Sequence, residues 1–206
     1  MTDLNGIIFK YLRIIRLESS CRIIFTPFNR IRAWLRKIQV GEKCRFYGNT
    51  IFYRYPESSI KIGRNCIFRS SRGSNLIGLN HSCIIATHSR KARIELGHNC
   101  GMSGTVIGAS GSVILGNRVL CGANTVITDF DWHNIQPGNR STGKYAPAPV
   151  VIENNVWIGL NSVVLKGVRI GENSIIGANS LVTHDIPPNV IAAGNPCRVI
   201  KELPGA

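Results

Sequence analysis

Acidic side chains are scarce in this chain. Asp and Glu number 11 against 25 Lys and Arg, and the formal net charge over 206 residues is +14. That balance favours anionic partners: nucleic acid, membrane headgroups or an acidic substrate. Aromatics are few, at 7%, while β-branched residues and glycine are many, which suits narrow coils. No run of about twenty apolar residues exists, so no membrane-spanning helix is expected. A secretory signal is not expected either: the apolar core at residues 7–9 is short, and Lys10, Arg13 and Arg16 interrupt its continuation. The seven cysteines are odd in number and lack any CxxC spacing, which argues against a disulfide framework or a zinc site. Cys44, Cys66 and Cys100 each stand four residues after an aliphatic (Val40, Ile62, Leu96) and read as buried thiols in a reducing cytoplasm.

The hydrophobic content is ample for a core, at 44%, and the length suggests one domain with an appendage. The organising stretch is residues 151–182. Ile152, Ile158, Val164, Ile170, Ile176 and Val182 recur every six residues. Four places after these aliphatics come Val156, Ser162, Val168, Ser174 and Ser180, all small or β-branched. A hexapeptide repeat builds a parallel β-helix, one short strand and one turn per six residues. Three sixes close a triangular coil, so every eighteenth residue stacks on itself. The aliphatic fills the prism, and Gly or Asn at the corners adopts the unusual backbone angles cheaply.

In chain order, residues 1–39 form a basic amphipathic helical segment and 40–206 the β-helix domain. Residues 7–38 read as helical, with Ile31, Trp34, Leu35 and Ile38 at helical spacing. Lys10, Arg13 and Arg16 form a basic line beside Ile8, Leu12 and Ile15, and Pro27 divides the segment in two. Two readings stand: a cap on the open end of the prism, or a segment lying on anionic lipid. No nucleic-acid recognition signature accompanies the charge.

Residues 40–127 continue the coils less cleanly. Val40-Gly41, Ile62-Gly63, Ile77-Gly78, Leu96-Gly97 and Leu115-Gly116 open repeats, and the nineteen-residue step from Leu96 to Leu115 implies a small bulge. Seven or eight coils are expected over 40–182. Residues 128–150 break the repeat. Pro137, Gly138, Gly143, Pro147 and Pro149 mark a long loop, of the kind that is usually functional when set in a regular fold. It carries Asp129, Asp131, Trp132 and His133. Residues 183–206 leave the prism as a tail.

Three marks now define a resemblance: a loop His some twenty residues before NVWIG, the Trp157 of that motif, and the ending IPPNV…AAGNPCRVI. The segment resembles the C-terminal half of the hexapeptide acyltransferases, and within them the maltose/galactoside and polysaccharide O-acetyltransferase branch. It is strong over about 115–202, looser over 40–114 and absent over 1–39. The resemblance implies an all-β fold, a left-handed parallel β-helix. It also implies a homotrimer, acetyl-CoA as acyl donor with no metal, a saccharide acceptor, and a site between neighbouring prisms. The hand comes from the resemblance alone, since parallel crossovers are otherwise right-handed.

A sugar hydroxyl is a poor nucleophile, so a neutral imidazole is wanted to take its proton. His133 is the candidate general base, with Asp131, Asp129 or a backbone carbonyl orienting the ring. The resemblance puts an oxyanion donor at the N–H of Gly159 or Leu160. It puts Trp157 beside the acyl or pantetheine arm, Ala178 near pantetheine, and Thr183, His184, Arg198 and Lys201 near the phosphates and adenine. The family often has Lys after the Thr, where this chain has His184. His81, His88 and His98 read as solvated turn residues. A γ-type carbonic anhydrase needs three ligating imidazoles, and no His pair here stands five apart. A binding-only prism is the non-enzymatic alternative. N-acetylation of an amino sugar is the enzymatic one, although the separate N-terminal α/β domain usual in such enzymes is not seen. The expected setting is cytoplasmic, at the inner face of the membrane if the basic helices bind lipid.

Overall fold

The computed structural model describes residues 4–141 and 146–203, without the side chains of residues 4–9, 13 and 22. Residues 142–145 of the loop and 204–206 of the tail therefore lie outside the described residues, as does the side chain of Arg13.

Short strands stack into three parallel sheets, the faces of a triangular prism. The first and third faces hold six strands each, and the second holds eight. The repeat explains why. Ile152 pairs in register with Ile170, Ile158 with Ile176 and Val164 with Val182, which is the eighteen-residue stacking. All six aliphatics of the repeat are buried, as are Val156, Ser162, Val168, Ser174 and Ser180. The inward serines have a local use: Ser162 and Ser180 both donate to the Gly177 carbonyl, at 2.9 and 2.7 Å. At the corners, Asn155, Asn173 and Asn189 hold positive φ. Their amides form a ladder, Asn155 to Asn173 at 3.0 Å and Asn173 to Asn189 at 2.7 Å.

Six full coils form, fewer than the seven or eight expected, because two excursions consume chain. Ile62 stacks directly on Leu96, and Leu115 on Ile152, so residues 70–82 and 129–149 lie outside the coils. The expectation that Ile77-Gly78 opens a repeat is corrected: Ile77 is exposed and Gly78 lies at φ +102 within the first excursion. Leu96 pairs with Leu115 nineteen residues on, and a separate register shift falls in the next coil, between Cys121 and Ala123. The tail also stays with the prism longer than the repeat suggests. Ile186 bridges to Ile170, and Val190–Ala193 adds a parallel rung to the second face before Arg198–Glu202 turns back antiparallel.

All seven cysteines are free and buried. Cys66 and Cys100 point their thiols at the Gly97 and Gly116 carbonyls, at 3.3 and 3.2 Å. Hydrogen bonding to Cys100 and burial push the Cys66 thiol up to about 11.

The leading segment is helix α1 (Leu4–Ser20), a π-turn (Cys21–Phe25) and helix α2 (Thr26–Leu35), with Pro27 in the first turn of α2. Helix α2 closes the open end of the prism through buried Ala33 and, just past its end, Ile38. Buried Asn29 is the polar pin: it donates to the Phe25 and Gly48 carbonyls at 2.7 and 3.0 Å and accepts from the Thr50 amide at 3.0 Å. Glu18 of α1 accepts from the Tyr47 hydroxyl. Ile31, Trp34 and Leu35 point outward, so Ile38 alone of that apolar stripe enters the core.

Candidate active site

The loop that breaks the repeat leaves the third face after Val126–Thr128 and rejoins the first at Val150–Ile152. Its base is fixed by Asp129. That residue is buried, and its two carboxylate oxygens accept the Ser110 and Gly111 amides, both at 2.7 Å. Burial pushes the carboxyl upward, and the amide hydrogen bonds pull it back. Two residues on, Asp131 pairs with Lys166. Both aspartates considered as orienting groups for His133 thus have other partners in this chain.

His133 is exposed, on a tight turn. Its Nδ1 faces the Arg140 carbonyl at 3.4 Å. The turn is closed by the Asn134 side chain, which accepts the Gln136 amide at 2.8 Å, and by the short helix Pro137–Asn139. The polar group beside the ring is thus a backbone carbonyl. When Nδ1 carries the proton and donates to that carbonyl, Nε2 presents its lone pair outward.

The second group of expected residues lies elsewhere on the prism. Trp157 is exposed on the second face, its strand paired with Leu120 and Ile175. Beside it a shallow depression is lined by Arg69, Gly101, Leu120 and Gly122. Gly159 and Leu160 form the corner between the second and third faces. The Gly159 amide donates to the Ile176 carbonyl at 2.7 Å, whereas the Leu160 amide has no hydrogen-bond partner among the described residues. A Cβ on Gly122 would stand 2.6 Å from the Leu160 nitrogen, so glycine there leaves that amide uncrowded. One coil on, Ala178 is exposed at the same corner and packs against Gly159.

Thr183 follows the last strand of the third face, and its hydroxyl meets His184 Nδ1 at 2.8 Å. Arg198 and Lys201 are exposed on the terminal antiparallel strand, Lys201 opposite Ile191. One chain thus holds two separated groups. His133 stands at the junction of the third and first faces. Trp157, Leu160 and Ala178 belong to the second face and its junction with the third.

His88 departs from the solvated-turn reading. It is half-buried, and its ring contacts Phe130 at 5.2 Å and Trp132 at 4.9 Å between centroids. Its Nε2 is buried without a hydrogen-bond partner among the described residues. Desolvation holds it below the usual histidine range, partly offset by Asp129. The available signal was the pair of aromatics Phe130 and Trp132 flanking Asp131 at the start of a polar loop. His81 and His98 instead take backbone partners, the Ser82 carbonyl and the Arg64 amide. Among the described residues, no group of three His, Cys, Asp or Glu side chains is placed to hold a metal ion.

The family profile described as "Bacterial transferase hexapeptide (six repeats)" matches residues 149–184. Galactoside O-acetyltransferase from Escherichia coli (strain K12) is 48% identical over 92 residues, 45% of each chain, so the match spans less than half the length of that relative. A solved galactoside acetyltransferase in complex with coenzyme A is 30% identical, covers 98% of this chain and 85% of its own, and superposes with a TM-score of 0.56. An N-acyltransferase from Bacillus cereus superposes at 0.62 with 19% identity, over 84% of this chain and 89% of its own, and is similar in fold alone. The prism is accordingly the left-handed parallel β-helix. The chain belongs to the hexapeptide-repeat acyltransferase family, in the branch that holds the galactoside O-acetyltransferases.

Proposed function

We propose that this chain is an O-acetyltransferase that moves the acetyl group of acetyl-CoA to a sugar hydroxyl. The acceptor would be a cell-surface polysaccharide or its lipid-linked precursor. The observation that carries the reading is a pair of groups: an exposed imidazole whose Nδ1 faces a backbone carbonyl, and an unengaged amide at Leu160. A relative of 30% identity solved with coenzyme A supports the choice of donor.

In this mechanism His133 Nε2 takes the hydroxyl proton as the sugar oxygen attacks the thioester carbonyl. The tetrahedral oxyanion accepts the Leu160 N–H. The carbon–sulfur bond then breaks, the proton passes from the imidazolium to the thiolate, and an acetyl ester and CoA leave. Trp157 and Ala178 wall the acyl and pantetheine arm, while Thr183, His184, Arg198 and Lys201 meet the nucleotide end. His133 and the Leu160 corner lie at opposite edges of the third face, which supports a site assembled between chains of a homotrimer. The exposed apolar and basic residues of the leading helices hold the enzyme at the cytoplasmic face of an anionic membrane.

Incubation with acetyl-CoA and a panel of saccharides, read by mass spectrometry, tests the reaction. A mass gain of one acetyl group that is lost in mild base marks an ester, while a base-stable gain marks N-acetylation instead. His133→Ala is expected to lower transfer roughly 10²–10⁴-fold, the worth of a positioned acid–base group, with CoA binding retained. Unchanged turnover in that variant would overturn the mechanism.

A further inference from the structure

Beside the loop that carries His133 lies a small aromatic surface. Tyr53 ends the strand Ile51–Tyr53. Across the third face it pairs with Ala86, and Ala86 pairs with Gly108. Both neighbours are small, so the surface next to Tyr53 is a low floor. Trp132 folds back over that floor, its ring 3.3 Å from where a Cβ on Gly108 would stand. A side chain at 108 would press against the indole.

The His88 ring lies between the two aromatics. Its centroid is 6.1 Å from that of Tyr53 and 4.9 Å from that of Trp132. Phe130, buried beneath, backs the indole at 4.8 Å. The outer rings stay open to solvent, Tyr53 at 53% and Trp132 at 55%. A polar loop would close without an exposed tryptophan braced from below. This one keeps a rigid aromatic face in water, one residue before His133.

The chemistry of the surface selects its ligand. It presents ring faces and a half-buried imidazole whose neutral form burial favours, so it offers little to a phosphate or carboxylate. Such faces suit flat, weakly polar C–H surfaces whose polar groups stay at the edges, and a saturated sugar ring has that form. Its length also matters. Tyr53 and Gly108 are two strand spacings apart, about 10 Å at ~4.8 Å each, which exceeds a single sugar ring.

We propose that Tyr53, His88 and Trp132 form a stacking platform for consecutive sugar rings of the acceptor. The acceptor is then an oligosaccharide or polymer segment, not a free monosaccharide. This rests on the acetyl-transfer reading for its place beside the base, but it is tested by binding.

The test is retention of the full chain, without acetyl-CoA, on an array of immobilised mono-, di- and oligosaccharides. The wild-type chain is expected to bind di- and oligosaccharides more tightly than monosaccharides. Tyr53→Leu keeps apolar bulk and removes the ring, and should lose about five- to tenfold of that binding. Tyr53→Phe should keep it, and coenzyme A binding by calorimetry should be unchanged in both. Equal retention by wild type and Tyr53→Leu, an equal loss in Tyr53→Phe, or no retained glycan at all overturns the platform. Acetyl transfer on the same array separates the two readings. Glycan retention that Tyr53→Leu weakens, with no transfer from acetyl-CoA, leaves the platform and sinks the enzyme. Transfer to oligosaccharides undiminished in Tyr53→Leu sinks the platform alone.

Discussion

Two aspartates separated by a single residue carry different loads. Asp129 is buried and satisfies two half-buried backbone amides, so Asp129→Ala leaves both donors without their partner, at about 1 kcal/mol or more each. Asp131 and Lys166 form a half-exposed pair, worth at most about 1 kcal/mol. Urea midpoints should therefore fall well below wild type for Asp129→Ala and barely for Asp131→Ala; the reverse order would show that the loop base is held by the ion pair. His88 gives a pH signature. Its folded pKa lies below the ordinary value near ~6.5 because burial disfavours the imidazolium. As pH falls through that ordinary value, the unfolded chain takes up the proton first, so stability drops on the acid side. Thermal melts between about pH 7 and pH 5 should show a steeper loss for wild type than for His88→Gln. Parallel curves would mean that the imidazole titrates alike in both states.

At the scale of elements, the leading helices present two different faces. The inner face caps the prism through Asn29, Ala33 and Ile38. The outer face exposes Ile23 and Trp34 at 75% each, with Ile24, Ile31 and Leu35 beside them and Arg30, Arg36 and Lys37 around the rim. Among the described residues no helix is long and apolar enough to cross a membrane, and this pattern suits lying on one. Trp34→Glu leaves the inner face untouched. It should reduce co-sedimentation with anionic vesicles several-fold, and wild-type binding should weaken with salt, because each basic residue near the surface contributes about 1 kcal/mol. Salt-insensitive binding, or none, would leave the helices only as a cap. This segment also marks how far the sequence can be read. The six-residue period announced the coils, since every buried aliphatic of residues 151–182 obeys it. Helical periodicity announced α2 but not which stripe faces inward, because the cap was built from Ala33 and Asn29, residues no hydrophobic pattern selects. The motifs singled out His133, Trp157 and Leu160, whose roles rest on the proposed reaction. His88 was not, because its burial comes from Phe130 and Trp132 folding over a coil far away in sequence.

At the scale of the whole molecule, the prism's geometry separates the proposed base from the proposed donor wall. The loop with His133 leaves between the third and first faces, whereas Trp157 and the Leu160 amide belong to the second face and its edge with the third. The full width of one face lies between them, so a single prism does not bring both groups to one thioester. Packing prisms about a threefold axis does, if the loop of one chain meets the second face of the next; such head-to-tail contacts close into rings. Light scattering should then report a trimer, and a particle of 22.6 kDa would rule it out. Complementation is the sharper test. His133→Ala chains retain the wall and Trp157→Ala chains retain the base, so each homotrimer is impaired at all of its sites. Random hybrids from an equal mixture place an intact base against an intact wall at about one interface in four. Recovery of roughly a quarter of wild-type turnover is therefore expected after co-refolding, while CoA affinity is intact at about half of the sites, those whose wall comes from a His133→Ala chain. If verified hybrids show no recovery, both groups act from one chain, and the loop must swing across the third face to reach the amide.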